Sequence, residues 1–352
     1  MKIRQSLLLI LTFLAASALL IFPTEAAAGA TNGIGYCLQI LVPSLYPFMV
    51  LSVFIVKSGL SDKIGVFFER PCQTVLKLPG SAAAIILMSA VGGYPTGARG
   101  IASLYENGSI TEKQAARMLC FCVNAGPAFV ISAVGAGFLR SPLAGAILFA
   151  SQLIASFLLS ILCSVSAENE PAPRKGKHSR AMGAADALVL SAADAARAML
   201  GMCCFVILFA AFLNLFRIFI NGPVSSTVLS AIMEVTGGCA DLTRLGVPLW
   251  VFAMAIGWGG ISVHCQIFSF FNGVKVKLPR FVLYRALHGL LAAFSTVLLL
   301  QVFPIDAEVF SNITKPLVPS YSGSVPASAA LIFLCITLII YLSREKLEAI
   351  DI

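Results

Sequence analysis

Apolar runs of about 20 residues recur along this chain, and nothing else in it limits the fold so strongly. They cover 3–22, 34–56, 115–138, 143–165, 198–220, 248–271, 281–303 and 325–342. A run of that length matches a helix crossing the hydrocarbon of a bilayer. Lipid offers no partner to a backbone N–H or C=O, so each crossing must be a helix that satisfies itself. Eight crossings follow, and the predicted fold class is an all-α polytopic membrane protein.

Two further apolar segments are interrupted. Segment 81–105 contains Gly92-Gly93-Tyr94-Pro95-Thr96-Gly97, and segment 225–245 contains Thr236-Gly237-Gly238. Each arm reaches only roughly 10–17 Å, about half the hydrocarbon thickness. Such an arm cannot span. Two arms joined by Gly or Pro predict a re-entrant hairpin whose tip lies near the midplane, buried in protein or lining a wet cavity.

The charges agree with this arrangement. The predicted cytoplasmic stretches hold Lys2, Arg4, Lys57, Lys63, Arg70, Lys77, Lys113, Arg117, Arg174, Lys175, Lys177, Arg180, Lys275, Lys277, Arg280, Arg344 and Lys346. The predicted outside loops hold Arg140, Arg217, Arg244 and Lys315, so 17 basic residues face four. Cytoplasmic loops carry that excess in membrane proteins. Counting either interrupted segment as a full crossing would invert every later loop. The net charge of +8 is therefore a topology signal and not a nucleic-acid footprint.

The segments also repeat. One unit, 34–165, runs helix, hairpin 81–105, helix, helix; a second, 198–303, runs helix, hairpin 225–245, helix, helix. Three crossings per unit force the second to enter with opposite orientation. Two inverted repeats with broken helices at the midplane are the build of secondary transporters. Residues 1–33 form an N-terminal membrane helix or signal anchor, with Ala26-Ala27-Ala28-Gly29-Ala30 readable as a cleavage site. Residues 166–197 read as a cytoplasmic linker with an interfacial helix at 186–197. Residues 304–352 make an outside loop, a last membrane helix and a cytoplasmic tail.

Site candidates collect at the interruptions. In the first tip, Gly93 permits unusual dihedrals, Pro95 suits the first turn of the returning half-helix, and Thr96 adds a hydroxyl. Tyr94 belongs to the same run. The free N–H groups and positive end of that half-helix suit an anion, and Arg99 one turn on adds a full charge. In the second tip, Glu234 precedes Thr236, Gly237 and Gly238. A carboxylate at that depth is costly unless paired with Arg99, bound to a coupling proton or cation, or bonded to substrate. Each hairpin is followed by a helix with a mid-depth break, at Asn124-Ala125-Gly126-Pro127 and at Gly257-Trp258-Gly259-Gly260. Asn124, Ser262, His264 and Gln266 can then face one cavity. Arg285 and His288, in the first turns of a helix leaving the cytoplasm, read as interfacial.

Enzyme chemistry finds no support. HExxH, GxSxG, a Walker loop and GxGxxG are all missing, and Ser262 and His264, two apart, face different directions on a regular helix. Ten cysteines lie mostly within apolar runs, where Cys acts as a small hydrophobe. With no CxxC and three His, neither a metal nor a cofactor is expected.

Val42-Pro43-Ser44-Leu45-Tyr46-Pro47-Phe48, Gly93-Tyr94-Pro95-Thr96-Gly97-Ala98-Arg99, Asn107-Gly108-Ser109-Ile110-Thr111, Asn124-Ala125-Gly126-Pro127, Glu234-Val235-Thr236-Gly237-Gly238 and Gly259-Gly260-Ile261-Ser262-Val263-His264-Cys265-Gln266 together resemble the sporulation integral membrane protein YlbJ (SpoVV) family. The resemblance covers nearly all of 33–303. It implies a nucleoside-recognition or Gate domain similar in architecture to concentrative nucleoside transporters. It further implies movement of dipicolinic acid, a compact aromatic dicarboxylate, across the outer forespore membrane. The expected partners are a small anionic substrate, a coupling proton or Na+, and the lipid bilayer; a homo-oligomer is compatible with the sequence. A transporter of nucleosides or other solutes, and a non-transporting component of spore assembly, are the alternatives. Both termini are expected to be cytoplasmic.

Overall fold

The computed structural model describes residues 2–106, 108–165, 167, 182–271 and 277–305. The last apolar segment at 325–342, the outside loop before it, the tail and most of the 166–185 linker lie outside the described residues. The described residues form helices joined by short breaks, with no strand among them. Five stretches are long and apolar enough to cross a membrane: Pro23–Ile55, Pro142–Val165, Ala184–Arg217, Leu249–Ser269 and Leu278–Val302.

Helix α1 (Lys2–Ile21) ends at Phe22, and Pro23 opens α2 (Pro23–Tyr36) at a position where its missing N–H costs nothing. A wide π-turn at Cys37–Leu41, just before Pro43, carries α2 into α3 (Val42–Lys57). The short helices α4 (Leu60–Phe67) and α5 (Glu69–Thr74) lead to α6 (Ser81–Gly92) and α7 (Tyr94–Glu106). Gly97 faces Ser89 and Gly100 faces Ile85. α6 and α7 therefore fold back on each other about Gly93 as an antiparallel hairpin.

Helix α8 (Glu112–Met118) opens with a capping box in which Thr111 and Gln114 each bond the other's backbone N–H, at 3.1 and 2.9 Å. An irregular stretch, 119–127, runs into a π-helix over Ala128–Phe138, followed by α9 (Pro142–Val165). Then come α10 (Ala184–Arg217), α11 (Pro223–Met233) and α12 (Val235–Leu245). Gly238 packs on Ala231, and Ser230 bonds Asp241, so α11 and α12 form a second antiparallel hairpin about Glu234. α13 (Leu249–Trp258), α14 (Gly260–Ser269) and α15 (Leu278–Val302) complete the described chain.

Large apolar side chains on the long helices, among them Phe157, Leu162, Leu200, Leu290 and Phe294, are exposed. Such a surface belongs against lipid. The interior is built from small residues that let backbones approach. A Cβ added to Gly135 would stand 2.5 Å from Gly145 Cα, and one added to Gly257 would stand 2.5 Å from Gly289 Cα.

Three expectations need correction. Segment 115–138 is not one helix, because Asn124-Ala125-Gly126-Pro127 breaks the ladder and leaves only α8 and the π-helix. The second spanning helix starts at Pro23 and not at residue 34. The small residues at 26–30 lie within α2, where Gly29 packs against Ala210, and Gly33 just beyond them packs against Ile207 of α10. The interfacial helix expected at 186–197 is continuous with the next span. α10 runs unbroken for 34 residues, about 50 Å, through Gly201.

Candidate functional site

The first tip turns on one residue. Gly93 has φ 81°, a conformation that side chains disfavour, and a Cβ on Gly126 would stand 2.9 Å from its N. The tip thus lies directly on the 124–127 break. The Thr96 hydroxyl donates to the Gly92 carbonyl at 2.9 Å, sealing the end of α6. The Tyr94 hydroxyl donates at 2.5 Å to the Ile256 carbonyl, tying this tip to α13.

Glu234 is itself the break in the second hairpin. Its backbone is extended (φ −149°, ψ 123°), and its two carboxylate oxygens accept from Thr236 N at 2.9 Å and Gly237 N at 2.7 Å. A carboxylate over a helix N-terminus is the favourable sign of charge for that end. Gly259 and Gly260, with φ 82° and 81°, bring the α13–α14 break against it. A Cβ on Gly260 would stand 3.0 Å from Glu234 Cα.

Arg285 occupies the complementary position. It is 0% exposed and donates to the carbonyls of Val123 and Gly257, one from each helix break, with His288 Nδ1 3.4 Å away. Its guanidinium lies 5.8 Å from the centre of the Tyr94 ring. Here a cation satisfies the Gly257 carbonyl at the negative end of α13 and the Val123 carbonyl of the irregular stretch, while Glu234 satisfies N–H groups at the positive end of α12.

Two cavities meet at Glu234. The first, about 30 Å³, is lined by Gly92–Pro95 from one tip, Glu234–Thr236 from the other, Gly126 in the first break and Phe129 just after it, and Val263 and Gln266 after the second. Its remaining walls are apolar residues of α3 and α10 with Leu41. The second, about 80 Å³, is polar: Asn32, Tyr36, Asn214, Arg217, Asp241 and Arg244 surround it. Among the described residues, no group of three or more His, Cys, Asp or Glu could hold a metal ion.

The chain is 24% identical over 318 residues to the sporulation integral membrane protein YlbJ of Bacillus subtilis strain 168. That match covers 79% of this chain and 78% of the relative. The chain is thus similar to YlbJ over most of the length of both proteins. No protein-family model and no solved structure matches it. The relationship to YlbJ agrees with the resemblance read from the motifs, and the membrane character of both chains agrees with the helices described above.

Against that background the sequence-derived site residues divide. Gly93, Tyr94, Pro95, Glu234, Thr236 and Gln266 line the first cavity. Gly237 lines the second, and Gly238 packs on Ala231 within the hairpin. Thr96 closes a helix end. Asn124 bonds Ser156 Oγ at 3.1 Å and the Phe121 carbonyl at 3.2 Å, bracing the break from behind. Ser262 is 0% exposed and accepts from Gln266 at 3.3 Å. His264 turns to the Trp258 carbonyl at 3.0 Å and stacks edge-on with Trp258 and Phe281, so it is a packing histidine.

Arg99 lines neither cavity. It donates to the Asp194 carbonyl at 3.1 Å and lies over Phe270. The Arg99–Glu234 pair considered above is not formed, because the N–H groups of α12 take the carboxylate. Glu234 acts instead as the cap at the start of the returning helix. Arg285 and His288 are not interfacial; both are fully buried. Asp241, which accepts from Arg217, Ser230 and Arg244, carried no sequence signal beyond its place four residues after Gly237.

Proposed function

We propose that this chain is a secondary-type transporter of a small anionic solute. Dipicolinic acid is the substrate that the family resemblance implies, moved across the outer forespore membrane of a sporulating cell. One observation carries the reading: the tips of two helical hairpins meet residues at or just beyond the breaks of two further helices around one cavity containing Glu234. A scaffold has no use for such a meeting point, whereas transporters build midplane sites from it. The order helix, hairpin, broken helix, long helix occurs twice, which supports two inverted repeats with re-entrant hairpins.

The positive end of α7 opens on the cavity, and the Arg285 guanidinium stands behind Tyr94. Both favour an anion. Glu234 serves as the coupling group, taking up a proton or a sodium ion as substrate binds. At about 30 Å³ the cavity has room for only about two waters, so an aromatic dicarboxylate enters only when the tips part. A neutral, nucleoside-like solute is the second reading. It is favoured by Glu234 and Gln266, which offer hydrogen bonds to a sugar or base and place no cationic side chain on the cavity wall.

Thermal unfolding of the purified full chain separates the two. A ligand that binds only the folded state raises Tm by mass action. Dipicolinate should raise Tm with uridine inert, and Thr236→Val, which alters the cavity wall, should reduce the shift. If uridine alone raises Tm the solute is neutral; if neither does, the transport reading loses its substrate class.

A further inference from the structure

The two cavities are stacked along the same pair of helices. On α10, Met202 and Val206 line the apolar cavity, while Asn214 and Arg217 line the polar one. Along the continuous run of α2 and α3, Asn32 and Tyr36 line the polar cavity, while Leu45 and Met49 line the apolar one. Eight residues separate Val206 from Asn214, about 12 Å along a helix. Glu234 is the one ionisable side chain common to both walls.

The polar cavity has the character of a hydrated space. A water needs roughly 10–15 Å³ and two to four polar partners. The cavity offers about 80 Å³, with amide, phenol, carboxylate and guanidinium groups around it. Its rim is held by charge: Asp241 accepts from Arg244 at 2.9 Å, from Ser230 at 2.5 Å and from Arg217. The Arg244 side chain is 67% exposed, so the cavity is bounded by solvent-reaching groups at that end.

We propose that the polar cavity is a water-filled proton path that reaches Glu234 from the Arg217–Arg244 end, separate from the apolar cavity on the carboxylate's other side. The proposal rests on the reading of Glu234 as the coupling group and says which species loads it and from where. A proton passed along the waters binds one carboxylate oxygen, leaving the last carrier as neutral water. The charge that holds Thr236 N–H and Gly237 N–H is then neutralised, which loosens the tip of the second hairpin. Other groups frame this carboxylate. Tyr36 and Cys37 face it from the end of α2 and the π-turn after it, Tyr94 from α7, Arg217 from α10, and Cys239, Asp241 and Arg244 from α12; α11 supplies no titratable group. His264 of α14 is turned away to Trp258. Arg217 and Arg244 are engaged by Asp241, and Glu234 makes no ion pair among the described residues.

Two measurements on the purified full chain in liposomes test this without any transport assay. Asn214→Cys in a cysteine-free background should react with a charged, membrane-impermeant thiol reagent, and Val206→Cys should not. Infrared spectra taken as pH falls should show a protonated-carboxyl band that Glu234→Gln removes and that shifts promptly in D₂O. Asn214→Trp and Tyr36→Trp, each filling the cavity from a different helix, should abolish that prompt shift in protein that remains folded. A silent Asn214→Cys, a Glu234 band missing at every pH that leaves the chain folded, or prompt exchange in both Trp variants would overturn the proposal. A chain that passes these tests but moves no solute would refute the transport reading instead.

Discussion

Arg285 donates to the carbonyl of Gly257, and the same guanidinium reaches Val123 on the other broken helix. One buried cation thereby ties together the two interruptions that frame the cavity. Its charge is stabilised by carbonyl dipoles at helix ends, where cations are favoured.

Arg285→Ala should destabilise the protein strongly. Two buried carbonyls would lose their donor, at about 1–3 kcal/mol each. Melting of the purified protein in detergent should drop by several degrees, or folded yield should collapse. Arg285→Lys should recover part of the loss, since a point charge replaces a planar fork with several donors. An unchanged Tm in the Ala variant would show that the contacts carry no weight.

Glu234→Gln removes charge and keeps shape. One N–H of the Thr236–Gly237 pair would then face an amide NH₂, weakening the cap by about 1 kcal/mol. Uptake against a gradient should be lost while exchange of solute across the membrane persists. Normal concentrative uptake by this variant would take Glu234 out of the coupling step.

Arg99→Ala should behave as a packing variant. It removes one hydrogen bond to Asp194 and a contact with Phe270, together about 1 kcal/mol. The melt should shift modestly, with substrate affinity unchanged. Loss of affinity at intact stability would place Arg99 at the substrate after all.

What could be read in the sequence was local. Gly93 with Pro95, and Glu234 with Gly237, stand out because breakers and a charge interrupt apolar runs, and both tips are where the chain turns. The gathering of six expected residues on one cavity followed from the same signal. Arg285 could not be found this way. Counted from the start of its helix it looks interfacial, and only the approach of residues 123 and 257, remote in sequence, makes it central. Arg99 misled for the converse reason: nearness along the chain to a tip does not set the direction of a side chain that finds Asp194 instead. The continuous α10 was hidden because charges at 186, 194 and 197 suggested an interface, while alanine-rich helix propensity carried straight through them.

Glycine substitutions test the close approach of the first tip and its neighbouring break. A Cβ on Gly126 would meet Gly93 N and Val91 O, each at 2.9 Å, and both are backbone atoms that cannot rotate away. Gly126→Ala should cost about 1–3 kcal/mol, as overpacking does. Gly201 in α10 has nothing within 4 Å of an added Cβ, so Gly201→Ala should be neutral or stabilise by up to about 1 kcal/mol. Paired melts of the two variants check the contrast; equal behaviour would deny that the tip is tightly seated.

The central claim is that the cavity between the two tips carries a small anion across the membrane. Uptake into proteoliposomes holding the full chain, with dipicolinate and a nucleoside compared side by side under an imposed proton or sodium gradient, tests it most directly. Dipicolinate should accumulate above the level reached in protein-free liposomes, the nucleoside should not, and Glu234→Gln should abolish the accumulation. Dipicolinate entry no faster than into protein-free liposomes under either gradient would contradict the claim.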